Sequence, residues 1–112
     1  MRIAVPAADG KLSMHFGHCD AFWVFEVDPE SKQILRSESV TPPEHAPGVL
    51  PAWLAGKGVT LVIAGGMGMR AQQLFAESGV DVITGAPSAE PEEVVRSFLD
   101  DALELGENVC EH

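Results

Sequence analysis

Val59 to Thr84 reads VTLVIAGGMGMRAQQLFAESGVDVIT, and its punctuation points to one architecture. Val59 to Ala64 is continuously apolar, as a strand buried on both faces must be. The run breaks at Gly65-Gly66-Met67-Gly68. Met69 to Ser78 has helical composition and stops at Gly79, and Val80 to Thr84 is a second short apolar strand before Gly85 to Ser88 turn the chain again. Strand, glycine turn, helix and strand make a crossover unit, whose right-handed form lays the two strands parallel.

Working outward, Arg2 to Val5 is another apolar run, ended by Pro6, and Ala7 to Asp20 has no sustained period and reads as a loop. Ala21 to Val27 (AFWVFEV) and Gln33 to Val40 are expected to form a hairpin across Asp28-Pro-Glu-Ser-Lys32. Three prolines make Thr41 to Pro47 a linker, since each removes a donor and extends its predecessor. Gly48 to Ala55 is expected to be a short helix, with Leu50 and Leu54 four apart, stopped by Gly56 and Gly58. From Pro91, the residues Val94, Val95, Phe98, Leu99, Ala102 and Leu103 recur at helical spacing, so an amphipathic helix should run on to Gly106. The sum is an α/β sandwich: one mixed sheet of five strands, its first, fourth and fifth strands parallel, with helices on its faces. Ligands of such sheets gather at the carboxyl ends of the strands.

With 112 residues the chain is one domain, 1–112, with 106–112 as a tail. No run approaches the roughly 18 to 20 apolar residues of a membrane span. The N-terminus has no apolar signal core, which makes the cytoplasm the expected location. Seven basic against seventeen acidic residues give a formal charge of −10, which repels nucleic acid and anionic membrane surfaces. Eight of the acids, with Arg96 as sole base, fall between Ala89 and the end, as the solvated face of a terminal helix. In a reducing compartment the two cysteines, Cys19 and Cys110, are free thiols or metal ligands.

Chemistry concentrates in Ser13 to Cys19, SMHFGHC. His15, His18 and Cys19 place two imidazoles and a thiol around Gly17, donors suited to zinc, copper, nickel and iron, including iron in sulfide clusters. The plainer reading makes the histidines surface residues, Phe16 a core plug and Cys19 a small buried filler. Cys110 and His112 form a second thiol-imidazole pair, and His45 sits on the proline-stiffened linker. Gly65, Gly66 and Gly68 allow close backbone approach, the helix start after them offers N–H groups to an anion, and Arg70 adds a positive charge. Gly66 to Ala71 fits the dinucleotide pattern G-x-G-x-x-A, but the next strand ends without an acid for a ribose. Met67 and Met69 are expected to pack rather than ligate. Ser13 lacks a nucleophile elbow and the first strand lacks paired carboxylates, so catalysis is not expected.

Taken in order, the HFGHC loop leading into AFWVFEV, the proline-flanked His45, VIAGGMGMRA, VITGA and the closing NVCEH resemble the dinitrogenase iron–molybdenum cofactor biosynthesis family over nearly the whole chain. The resemblance implies a ribonuclease-H-like three-layer sandwich with sheet order 3-2-1-4-5. It also implies non-catalytic binding or delivery of an iron–sulfur or molybdenum–iron–sulfur cluster, with cluster donor and acceptor proteins as partners, by a monomer or homodimer. His15 and its HFG turn, with Gly65, Gly66 and Gly68, match the family motifs; Cys19, Cys110 and His112 are ligands on chemical grounds alone. Two further readings stand beside it. One is a single zinc, nickel or copper ion held by some four of His15, His18, Cys19, Cys110 and His112; the other is a thiol switch between Cys19 and Cys110.

Overall fold

A computed structural model describes residues 1–16, 19–43 and 49–106. His18, His45, Cys110 and His112 lie outside the described residues. The elements follow in the order β1 (Arg2–Ala8), β2 (Lys11–Leu12), β3 (Ala21–Asp28), β4 (Gln33–Val40), α1 (Val49–Gly56), β5 (Leu61–Ile63), α2 (Met69–Glu77), β6 (Asp81–Ile83) and α3 (Pro91–Leu99). They build one mixed sheet in the order β4-β3-β1-β5-β6, with β2 paired to β1 off this path. β1, β5 and β6 are mutually parallel, and the β1–β3 and β3–β4 pairs are antiparallel.

The main path is the expected 3-2-1-4-5 order once β2 is set aside, but the described sheet has six strands rather than five. The extra strand lies in the segment expected to be loop. Asp9 and Gly10 both take positive φ, 53° and 80°, which makes a two-residue hairpin turn that pairs Ala8 with Lys11 and Ala7 with Leu12. β1 also runs through Pro6 instead of ending there. The Pro6 carbonyl faces β2, accepting the Ser13 N–H at 2.8 Å, so its ring nitrogen faces the same side. Pairing with β5 has already ended at Ala4, and no ladder bond is lost.

The third departure is the length of α3, which stops at Leu99 and not near Gly106. Asp100 and Asp101 put two carboxylates at the negative end of the helix dipole, where they oppose a further turn. Asp101 takes φ 54°, and the Asp101 and Ala102 N–H groups turn back to the carbonyls of Phe98 (3.1 Å) and Ser97 (2.8 Å). This is the Schellman pattern that ends α1 and α2 with a glycine, here built on an aspartate. It redirects the chain so that Leu103 packs against the core and the following segment heads for the end of the sheet.

Strand alternation sorts the core onto two faces. Ala4, Phe22, Val24 and Val62 join Leu50 and Leu54 of α1 and Phe75 of α2. Ile3, Val5, Phe25, Val27, Leu61 and Ile63 join Val94, Val95 and Leu99 of α3. Helices therefore cover both sides of β1 and β5, whereas the edge strand β4 is largely exposed. Among the described residues, no helix is long and apolar enough to cross a membrane.

Candidate functional site

Because β1, β5 and β6 run parallel, the segments that leave them emerge at one end of the sheet, and backbone hydrogen bonds tie them into a rim. The Met14 carbonyl accepts the Gly66 N–H at 2.7 Å, and the Gly66 carbonyl accepts the Phe16 N–H at 2.9 Å. His15 and Gly66 thus form an isolated parallel bridge, one more rung beyond the last β1–β5 pair. The Gly85 N–H donates to the Gly65 carbonyl at 2.6 Å, and the Gly106 N–H donates to the Gly85 carbonyl at 2.7 Å.

Two of these positions require glycine for stated reasons. A Cβ on Gly65 would lie 3.0 Å from Met14 Cα and 3.1 Å from the Ser13 carbonyl oxygen. On Gly85, which has φ +87°, a Cβ would run into the Gly106 carbonyl. At Gly85 every close neighbour is backbone, and at Gly65 the two nearest are backbone, with Leu12 Cδ2 next at 3.2 Å.

The histidine loop is anchored by its neighbours. Phe16 is buried, its ring edge-on to Phe75 with centroids 5.5 Å apart and tilted against Phe22 at 5.8 Å. Ser13 is buried too, and its hydroxyl donates to the His15 carbonyl at 2.7 Å. His15 itself is exposed. Cys19 is half-buried against the core beneath α1 and α2, its N–H 3.4 Å from the Phe16 carbonyl. Burial pushes its thiol up to about 11, with a smaller push from the Asp20 carboxylate and a partial offset from a backbone hydrogen bond. At neutral pH it is a thiol, and ligation would require it to lose that proton.

On the other side of the rim, Gly68 is the N-cap of α2 in extended geometry, with no side-chain cap and no acid in the first turn. The first N–H groups of a helix have no partner within it, and they carry the positive end of its dipole. Arg70 is exposed in that first turn. Met67 is fully buried, as a packing residue should be, whereas Met69 is 56% exposed.

The structure therefore brings His15 together with Gly65 and Gly66, with Gly68 and Arg70 following on the same loop and helix start. Among the described residues, no three or more His, Cys, Asp or Glu side chains gather where they could hold a metal ion. The described rim thus offers backbone donors and one exposed imidazole, not a closed tetrahedral cage. Sequence reasoning missed two rim contributors. As sequence, Ser13 suggests only a nucleophile and Gly106 only a helix stop; the apolar neighbours Leu12 and Phe16 are the available signal for the first.

The family model for dinitrogenase iron-molybdenum cofactor matches residues 1–101. The chain is 32% identical over 108 residues to the Methanocaldococcus jannaschii protein MJ0580, described as uncharacterized, covering 93% of this chain and 90% of that one. The crystal structure of PH0822 superposes with a TM-score of 0.87 at 28% identity, over 96% of each chain. The apo form of the orange protein from Desulfovibrio gigas superposes with a TM-score of 0.70 at 26% identity, over 96% of this chain and 93% of that one.

Proposed function

Since the chain belongs to the dinitrogenase iron-molybdenum cofactor family, we propose that it binds and hands on an iron–sulfur or molybdenum–iron–sulfur cluster as a non-catalytic accessory to cofactor assembly. The observation that carries this reading is the rung between His15 and Gly66, which joins the histidine loop to the glycine turn at the carboxyl end of the sheet. On this reading His15 ligates the cluster, while the backbone N–H groups in the first turn of α2, after Gly68, and the Arg70 guanidinium face its anionic sulfides.

The remaining ligands come from outside the described rim. Gly106 is fixed beside Gly85, and Cys110 follows four residues later, within a chain reach of about 14 Å. Cys110, His112, His18 and His45 are proposed to complete or cover the site. Cys19 is the weakest member of the set, because its proton must first leave a thiol whose pKa is about 11. Two cysteines are too few for the Cys₄ ligation of a ferredoxin cluster. Incomplete ligation suits a carrier, since what is weakly held is readily released to an acceptor protein. The ribonuclease-H-like assignment and a cytoplasmic location belong to the same reading, and the β4-β3-β1-β5-β6 order supports the former.

Anaerobic reconstitution with iron and sulfide, with and without molybdate, tests it. Broad visible absorption with acid-labile sulfide bound to the chain is the expected result. A colourless protein holding one tight zinc per chain would instead favour the single-ion reading.

A further inference from the structure

Within the rim, one buried side chain bears on the exposed His15 through that residue's backbone. Ser13 is 5% exposed and is the buried polar residue of the described core. Its backbone N–H is spent on the Pro6 carbonyl at 2.8 Å, which locks it to β1, and its hydroxyl donates to the His15 carbonyl at 2.7 Å. Three residues on, Phe16 is held through its N–H by Gly66 and through its ring by Phe75 and Phe22. The Met14 carbonyl between them accepts from Gly66. His15 is thus an exposed residue whose backbone is fixed from both sides, and its own carbonyl is held by the hydroxyl of a buried serine.

We propose that Ser13 is a positioning residue: its hydroxyl sets the His15 backbone before any cargo arrives, so that the imidazole is presented at the rim without an ordering cost on binding. This rests on the cluster-binding reading for its functional consequence, but not for its structural one. A surface loop that ordered only on ligation would lose affinity to the conformational entropy of Met14, His15 and Phe16. A supporting residue locked by packing and hydrogen bonds removes that loss, which is what a preorganised site needs.

The fold supplies an internal control. Ser88 also donates a part-buried hydroxyl to a backbone carbonyl, that of Leu12 at 3.0 Å, immediately before Ser13 in the same segment. Removing either hydroxyl deletes a bond of the same type, and only one of the two bonds ends on His15.

The test compares Ser13→Ala, Ser88→Ala and Ser13→Thr by ¹⁵N relaxation of the apo chain, then by retention of a cluster reconstituted from iron and sulfide during challenge with a chelator. The expected result is raised fast mobility at residues 14–16 in Ser13→Ala alone. Retention should fall about tenfold in that variant, as the loss of one buried hydrogen bond implies, and return with Ser13→Thr. If Ser13→Ala does not fold, Ser13→Cys, a weaker donor at the same position, takes its place with a smaller effect in the same direction. Unchanged order at His15 in Ser13→Ala, or equal effects of the two alanine variants, overturns the proposal. A wild-type chain that takes up no iron and sulfide defeats the cluster reading instead, and the apo relaxation comparison then decides the role of Ser13.

Discussion

Replacing Gly85 with alanine should cost more than the backbone conformation alone explains, and the excess measures how firmly the last described segment is held at the rim. Gly85 has φ +87°, and an alanine there costs about 1–2 kcal/mol for the left-handed region. Its Cβ would also collide with the Gly106 carbonyl, displacing the segment whose N–H donates to the Gly85 carbonyl at 2.7 Å. Losing that bond adds about 1 kcal/mol, for a total of about 2–3 kcal/mol. Gly79 is the matched reference, with φ +78° and nothing within 4 Å of its hypothetical Cβ. Gly79→Ala should therefore show only the conformational part. Urea denaturation of both variants gives the two costs, and hydrogen exchange at the Gly106 amide reports whether the segment has left the rim. Equal destabilisation of the two variants, with Gly106 still protected in Gly85→Ala, would refute the reasoning.

Three other perturbations bear on the same framework. Asp101→Gly should stabilise the chain by about 1 kcal/mol in denaturant melts, since a glycine takes φ 54° without strain and the Lys32–Asp101 pair it removes is exposed and 4.0 Å long. Phe16→Ala should cost about 3–4 kcal/mol and loosen the His15 loop in amide exchange, because the ring fills the space between Phe22 and Phe75. Cys19 alkylation by iodoacetamide should rise with a midpoint near the raised value of about 11, well above the ordinary 9.0. The linkage sign follows: the folded thiol holds its proton to higher pH than the unfolded one. Its contribution is therefore intact below about pH 9 and falls away as pH rises towards 11, by at most about 2 kcal/mol once partial exposure is discounted. Cys19→Ser should flatten that part of the pH–stability curve.

Much of this arrangement was legible from residue order. The apolar run Val59 to Ala64, its glycine turn and the helix after it declared a parallel crossover, and the sheet order followed. What the sequence concealed were local contests. Asp9-Gly10 is a strong hairpin signal, but it lies beside a strand of two residues, too short to show alternation, so the sequence hides β2 within a loop. Pro6 looked like a strand terminus because its neighbours were unknown; its missing donor happens to face the side where β5 has ended. The apolar spacing through Ala102 and Leu103 imitated continued helix, because a Schellman turn at Asp101 returns Leu103 to the same core by another path. At the rim, the convergence of the histidine loop with the glycine turn could be inferred from topology. The tie from Gly106 to Gly85 could not, as no pattern in the sequence distinguishes a glycine that stops a helix from one that docks. The Cys19 thiol was ambiguous for a similar reason: its protonation depends on burial set by α1 and α2, far away in sequence.

The most direct test of the account is a comparison of amide resonances in the chain before and after anaerobic loading with iron, sulfide and molybdate. The rim account requires the largest shifts or broadening at Met14 to Phe16, Gly65 to Gly68 and Gly85, with β4 and the outer face of α3 unchanged. Perturbation centred on β4 or α3, with the His15 and Gly66 amides untouched in a loaded chain, would contradict it.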